Sequence, residues 1–315
     1  MITVETLALA ACSSGETNHG TPETPAVANH ETASGRVTLG FAMAQERDGF
    51  QIALRDGVVN TARADANATV VVLDAGDDPF QQAEQIKRLA AAHVAVLLVD
   101  AVDSAQLAPA LSEVHAAGVP IVAVDHRLPG SYAVAFVGSS DLQAGNIAAQ
   151  QLMDLVPESS SVVMLVGATD PQAARDRSQG FASAMADQSV NVKRAQLEAQ
   201  LVAGTTRSGG AATMSKLLQR DSGLAGIFVQ SADAALGALD VLRARGLVGK
   251  VAVVAIGGTP DLLQATRSGE VAAIIVEQPA IIGQRAAELA LELAKHQKAP
   301  DSQEVPLIVL TPQNS

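Results

Sequence analysis

The residues best placed for chemistry are polar side chains that follow apolar runs. Asp125-His126-Arg127 come directly after the apolar run from Ile121 to Val124. Signatures of catalysis are missing from the sequence: it has no GxSxG elbow and no pair of histidines at metal-ligand spacing, and its one cysteine, Cys12, lies in a polar tail. We therefore expect no enzyme activity, no bound metal and no cofactor. The chemistry predicted is the reversible binding of a polar solute.

Two other polar segments have plainer interpretations. Asp78 followed by Pro79 is typical of a helix start, so Asp77 and Asp78 are interpreted as helix caps and not as metal ligands. The glycines of 204–210 lack the Lys-Ser/Thr ending of a phosphate loop. We interpret that segment as a loop beside a cleft.

The elements that position these residues repeat in a fixed order from about residue 37 to the C-terminus. An apolar strand ends, a polar turn follows, and an amphipathic helix begins, most clearly over 70–104 and 226–261. Predicted helices include 50–65, 105–117 ending at Gly118, and 172–187. Such alternation predicts an α/β protein with parallel sheets, whose strand C-termini form ligand clefts.

Size and charge restrict the function further. The chain has 315 residues; the first 35 or so are too polar to form a core, and the rest suits two lobes. A net charge of −12 without a basic cluster argues against a nucleic acid partner. A transcription repressor would also need a helix-turn-helix, and residues 1–35 offer none. No apolar run reaches the length of a membrane span.

The segment around Cys12 resembles a bacterial lipobox, Leu9-Ala10-Ala11-Cys12. This predicts a signal peptide over 1–12, a flexible tether over 13–35, and a lipid-anchored protein of the cell envelope, in the periplasm or on the outer face of the membrane. Residues 1–8 carry Glu5 and no basic residue, unlike a normal signal. A misassigned start, or a stray cysteine in a tail, is the alternative.

From about Val37 to Thr311 the chain resembles the type I periplasmic binding proteins, closest to the ribose-binding group. Seven stretches in order carry the resemblance: VVVLDAGDDPFQQ, VDS, VPIVAVD, AARDRSQGF, ALGAL, GGTPD and EQPAIIG. It implies two doubly wound, Rossmann-like parallel-sheet lobes joined by a three-segment hinge. The lobes would be 36–139 with 278–304 and 140–277 with 305–315. The hinge would cross near Ser139, near Glu277 and Gln278, and near Val305, and would close around a ligand.

The resemblance also implies a set of ligand-binding positions. Phe50, Asp125 and Arg177 match the family pattern, while His126 stands where an arginine is usual, so that Arg127 is an alternative donor. The full set is Asp48, Phe50, Gln51, Asp100, Asp125, His126, Arg177, Thr205, Ser231, Gly257 and Glu277.

Departures from the pattern weaken any claim for ribose. Only one aromatic ring remains at the site, and Asp48, Asp100, Asp125 and Glu277 would need partners on closure. A sugar or polyol can supply donors, and so can an amine-bearing solute; we favour the sugar. Two structural alternatives stay open: Phe50 as a core residue, and Asp125 and Arg177 as a salt bridge. If Arg177 serves only the ligand, its loss should change the stability of the ligand-free protein little.

The function implied is capture of a small solute, which we expect to be a monosaccharide, and its delivery to an ABC transporter permease. The protein would be a monomer, attached to the membrane through its lipid. The alternatives are a ligand-sensing accessory of a chemoreceptor or sensor kinase, and a binder of a non-sugar amine-bearing solute.

Overall fold

A computed structural model describes residues 36–315 except 168, 169, 188, 190, 192–194, 221, 222, 298 and 299. The predictions about residues 1–35, including Cys12, lie outside this range. In the described part of the chain the strands form two six-stranded sheets, each flanked by helices on both faces. The predicted fold class, two doubly wound α/β units, is confirmed.

The first sheet has the order β11-β5-β4-β3-β1-β2 with all neighbours parallel. Four helices pack around this sheet. Its strands are β1 (Val37–Met43), β2 (Ala68–Asp74), β3 (Val96–Asp100), β4 (Ile121–Val124), β5 (Ala133–Gly138) and β11 (Ser302–Glu304), and its helices are α1 (Gly49–Ala64), α2 (Pro79–Ala91), α3 (Ala108–Ala116) and α9 (Pro279–Ala294).

The second sheet has the order β12-β10-β9-β8-β6-β7, parallel except for the pairing of β12 with β10. Its strands are β6 (Ser161–Val166), β7 (Gln196–Val202), β8 (Leu224–Val229), β9 (Ala252–Ile256), β10 (Ala273–Val276) and β12 (Ile308–Leu310), and its helices are α4 (Asp141–Leu155), α5 (Pro171–Ala186), α6 (Arg207–Arg220), α7 (Ala232–Ala244) and α8 (Pro260–Arg267). The chain passes between the sheets three times: from β5 to α4, from β10 to α9 and from β11 to β12.

The sequence patterns predicted most elements, and the helix caps have the predicted chemistry. The Asp78 side chain accepts hydrogen bonds from the backbone N–H groups of Phe80 and Gln81, and Pro79 occupies the first turn of α2. Gly118 has a φ of +76°, the left-handed conformation expected after a helix.

The start of the third helix was predicted wrongly. Helix α3 begins at Ala108 and not at Ala105, because the Asp103 carboxylate accepts hydrogen bonds from the N–H groups of Ala105 and Gln106 and holds them in a turn. Strands β5, β11 and β12 were not predicted. The last two have three residues each, too few to show a periodicity.

Helices α4 and α5 approach until their backbones touch, and two glycines allow it. A Cβ atom added to Gly145 would lie 2.0 Å from the carbonyl oxygen of Arg177, and one added to Gly180 would lie 2.0 Å from that of Leu142. This contact fixes the start of α4 against the middle of α5. Among the described residues, no helix is long and apolar enough to cross a membrane.

Candidate functional site

A cavity of about 430 Å³ lies between the carboxyl edges of the two sheets. Residues that follow β1, β3 and β4 line it from one side, and residues that follow β8, β9 and β10 line it from the other. Parallel sheets bind ligands at this edge because the connecting loops there are free to vary. A larger depression of about 610 Å³ is lined only by residues of α2, so it is a surface groove and not a cleft.

The structure brings ten of the eleven predicted positions together in this cavity; they are Asp48, Phe50, Gln51, Asp125, His126, Arg177, Thr205, Ser231, Gly257 and Glu277. Asp100 is the exception. It is fully buried beneath the cavity, where its Oδ2 accepts a hydrogen bond of 3.2 Å from the Ala44 N–H. Asp100 does not line the cavity, so the predicted direct contact between Asp100 and a ligand does not fit this structure.

Asp125 is held in place by a strained turn. Its φ is +64°, rare for a residue other than glycine, and the His126 N–H donates to the Val124 carbonyl at 2.7 Å. The turn presents both Asp125 and His126 to the cavity. Arg127 instead lies over the Phe136 ring at 4.1 Å and does not line the cavity. The idea that Arg127 replaces His126 as a donor is wrong.

Arg177 is bound by several groups of the protein itself. It is 7% exposed, its Nε donates to Asp141 Oδ1 at 2.6 Å, and its Nη2 lies 3.6 Å from Glu277 Oε1. Its Nη1 donates to the Gln230 carbonyl at 3.4 Å. The carboxylates that pair with it are therefore Asp141 and Glu277, and not Asp125 as the salt-bridge alternative supposed.

Phe50 lies where both of the alternatives left open by the sequence would place it. It is half-buried, packs against the core between α1 and the first sheet, and also lines the cavity. No other phenyl, phenol or indole ring is among the cavity's lining residues. Any aromatic stacking on a ligand in this cavity therefore depends on Phe50.

Two residues that position the site were missed. Gln230 follows β8 and is 1% exposed; its Oε1 accepts from the Gly167 N–H at 3.3 Å and its Nε2 donates to Ser178 Oγ at 2.9 Å. A polar residue directly after an apolar run was the available signal. Asp141 gave no signal, because an acidic residue in the first turn of a helix is ordinary.

The buried charges of the site alter one another's protonation. Burial raises the pKa of Asp125 to about 6. Burial, together with the nearby Asp125 carboxylate, raises the pKa of Glu277 to about 7. Burial disfavours the charged form of His126, but the carboxylates of Asp125 and Asp100 outweigh it and raise its pKa to about 9. The ligand-free site therefore holds protons at neutral pH that the unfolded chain would release.

We expect the free energy of unfolding to fall as the pH rises. The folded protein binds more protons than the unfolded chain, whose carboxyl pKa values are about 4. The protonated carboxyls contribute stability at low pH that is lost as the pH rises through about 6 for Asp125 and about 7 for Glu277. The His126 contribution is complete below about 6.5 and is lost as the pH rises through about 9.

Urea unfolding at a series of pH values tests this prediction. Glu277→Gln should flatten the curve between about pH 4.5 and pH 7. Glu288→Gln, the same change at an exposed position of α9, should keep the wild-type slope. An unchanged slope in Glu277→Gln would mean that Glu277 titrates normally.

Comparison with known proteins agrees with the geometry. The model of the periplasmic binding protein domain matches residues 39–298. A ribose import binding protein of Bacillus subtilis is 27% identical over 270 residues, which is 86% of each chain. A putative rhizopine-binding protein of Rhizobium meliloti is 27% identical over 292 residues, 90% of this chain and 93% of that protein.

Solved structures that are similar in fold include solute-binding proteins of ABC transporters. A solute-binding protein of an ABC transporter from Mycobacterium smegmatis, with bound glycerol, is 26% identical with a TM-score of 0.77 and covers 89% of this chain and 96% of that one. One from Bacillus halodurans, with bound myo-inositol, has a TM-score of 0.80 at 23% identity over 89% of this chain and 96% of that one. With the family model matching most of the chain, this protein belongs to the periplasmic binding protein family.

Proposed function

We propose that the protein captures a monosaccharide or a related polyol in the cleft and delivers it to an ABC importer. One observation carries the proposal: a cavity between two sheets is lined from both sides by hydrogen-bonding side chains and one aromatic ring. The similar proteins are import binding proteins for ribose and fructose, and a solved relative holds glycerol. These relatives favour sugar uptake over the sensor and the non-sugar alternatives.

The same residues account for capture by hinge closure. The lobe boundaries proposed from the sequence place Asp48, Phe50 and Asp125 on one side of the ligand and Arg177 on the other. A ligand bound by both sides favours the closed arrangement, since only there can it form all of its hydrogen bonds. One bond already joins the two sides: Ser104 Oγ donates to Asp170 Oδ1 at 3.3 Å, and both residues are buried.

A thermal-shift screen of the full chain tests the proposed function. The panel holds pentoses, hexoses, cyclic polyols, amino sugars and nucleosides. A ligand present at a hundredfold excess over its Kd stabilises the folded state by about 2.7 kcal/mol, which such a screen detects. A shift with one sugar or polyol class supports the proposal. A shift with nucleosides alone, or with no compound, would contradict it.

Phe50→Ala should weaken sugar binding by roughly 30-fold, measured by calorimetric titration. The ring supplies the apolar surface against which a sugar ring packs, and losing that burial costs about 2 kcal/mol. Phe80→Ala is the matched control, because Phe80 is 78% exposed and does not line the cavity. If Phe50→Ala bound the sugar as tightly as the wild type, Phe50 would not contact the ligand and would serve only the core.

The envelope location follows from the family, whose members act outside the cytoplasmic membrane. We further propose that Cys12 carries a lipid and that the protein works as a monomer that docks on a permease. Metabolic labelling with a fatty acid, compared between the wild type and Cys12→Ser, tests the anchor. Co-purification with the neighbouring membrane proteins tests the partner: a permease supports uptake, while a chemoreceptor or a sensor kinase would contradict it.

A further inference from the structure

The cavity offers many hydrogen-bond acceptors and few free donors. Five carboxyl groups line it, and Asp100 and Asp141 lie directly behind the lining; the five are Asp48, Asp77, Asp125, Asp233 and Glu277. The basic groups among the lining residues are Arg177 and His126. Arg177 is already paired with Asp141 and Glu277, and His126 Nε2 lies 3.5 Å from Asp125 Oδ2.

Three buried oxygens at one end of the cavity have no hydrogen-bond partner; they are Gln51 Oε1, Asp100 Oδ1 and Asp125 Oδ1. Their residues are more than nine-tenths buried, with exposures of 8%, 0% and 6%. Potential ligand atoms of Asp100, Asp125 and His126 lie within 4.8 Å of one another. Buried carboxylate and amide oxygens left without donors are costly, so a ligand that supplies donors here is strongly favoured.

A hydroxyl group and an ammonium group differ in how many hydrogen bonds they can donate to these oxygens. A hydroxyl donates one hydrogen bond and also needs donors for its own lone pairs, whereas an ammonium donates three, accepts none and adds a positive charge. Two further atoms of the cavity lining lack partners, Thr259 Oγ1 and His126 Nδ1, and each could donate to a hydroxyl group. An excess of unpartnered acceptors therefore fits the ammonium group better.

We propose that the natural ligand is an amino sugar or amino polyol whose ammonium group is bound beside Asp125, between Gln51 and the buried Asp100. This inference rests on the proposed function, because the remainder of the ligand is held as a sugar. Asp125 and Gln51 line the cavity and contact the ammonium group. Burial raises the pKa of Asp100, one layer behind, so the negative charge beside the ammonium group is that of Asp125. A metal ion is the other cation that such a cluster attracts, but the ion alone would leave a cavity of about 430 Å³ unfilled.

Matched ligand pairs test the inference on the full chain by calorimetric titration at pH 7 with EDTA present. The pairs are glucose and glucosamine, galactose and galactosamine, and myo-inositol and an aminodeoxyinositol. N-acetylglucosamine removes the charge while keeping the nitrogen. We expect the amine of at least one pair to bind about tenfold or more tightly than its hydroxyl partner, since a charge paired at short range is worth at least that factor.

Asp125→Asn removes a negative charge and keeps the size of the side chain. It should reduce the preference for the amine over its hydroxyl partner about tenfold, whereas a merely structural effect would weaken both partners alike. Asp301→Asn, at an exposed position outside the cavity, should leave the preference unchanged.

The other outcomes of these titrations distinguish failure of this inference from failure of the proposed function. Equal or tighter binding of the hydroxyl partners would overturn this inference and leave the proposed function standing. Binding of neither series would overturn both. Stabilisation by Zn²⁺ or Ca²⁺ alone, lost in Asp125→Asn, would assign the cluster of Asp100, Asp125 and His126 to a metal ion and contradict the binding of an ammonium group.

Discussion

Replacing Arg177 with alanine should remove measurable sugar binding and also lower the free energy of unfolding by about 3 kcal/mol. We expect the guanidinium group to donate to the ligand from the side of the second sheet, and losing a charged hydrogen-bond donor to a ligand costs about 100-fold in affinity. Its loss also leaves the largely covered carboxylates of Asp141 and Glu277, which are 14% and 16% exposed, without their cation. Breaking one partner out of a buried ion pair is strongly destabilising.

This expectation differs from the one that the sequence supports. With Arg177 free for the ligand, the ligand-free protein would be nearly unaffected by its loss. The three bonds that Arg177 forms to Asp141, Glu277 and the Gln230 carbonyl make it a structural residue as well. Calorimetric titration and urea unfolding measure the two effects separately.

Arg175→Ala is the control for this change. Arg175 lies on the same helix, is exposed and bonds to the neighbouring Gln172 side chain. It should bind sugar and unfold like the wild type. If Arg177→Ala kept full affinity, the ligand would have to be bound elsewhere in the cavity; if it kept full stability, the buried pairs would be of little consequence.

Replacing Gly145 with alanine should destabilise the protein by about 3 kcal/mol and weaken sugar binding at the same time. The new Cβ would lie 2.0 Å from the Arg177 carbonyl oxygen, a backbone atom that moves only with its helix. Helices α4 and α5 would have to separate, and forced overpacking of this kind typically costs 1–3 kcal/mol or more. The separation would also draw Asp141 away from Arg177.

Gly49→Ala controls for the change of residue type in a helix. A Cβ added there meets no atom within 4 Å, so stability should be unchanged or slightly raised. Thermal unfolding compares the two variants. Wild-type stability in Gly145→Ala would show that α4 and α5 adjust without cost, and the positioning role given to this contact would then be wrong.

The order of the strands and helices was largely determined by local sequence. Apolar runs such as Val96–Asp100 and caps such as Asp78-Pro79 act over a few residues, so their pattern is visible without the fold. The same logic located most of the cavity, because polar residues that end parallel strands meet at one edge. Short edge strands such as β11 and β12 escaped prediction, since they are specified by pairing with distant strands and not by periodicity.

Sequence pattern was enough to predict the fold class, the family and most of the residues that gather at the cleft. The bonds between those residues became known from the packed fold. In it Asp100 lies beneath the cavity, Arg127 lies over Phe136, and Arg177 pairs with Asp141 and Glu277. The physical reason is the separation in sequence of the interacting residues. A strand or a helix cap is specified by neighbours in the chain. A buried charge takes its partner and its pKa from residues that are far away in the sequence.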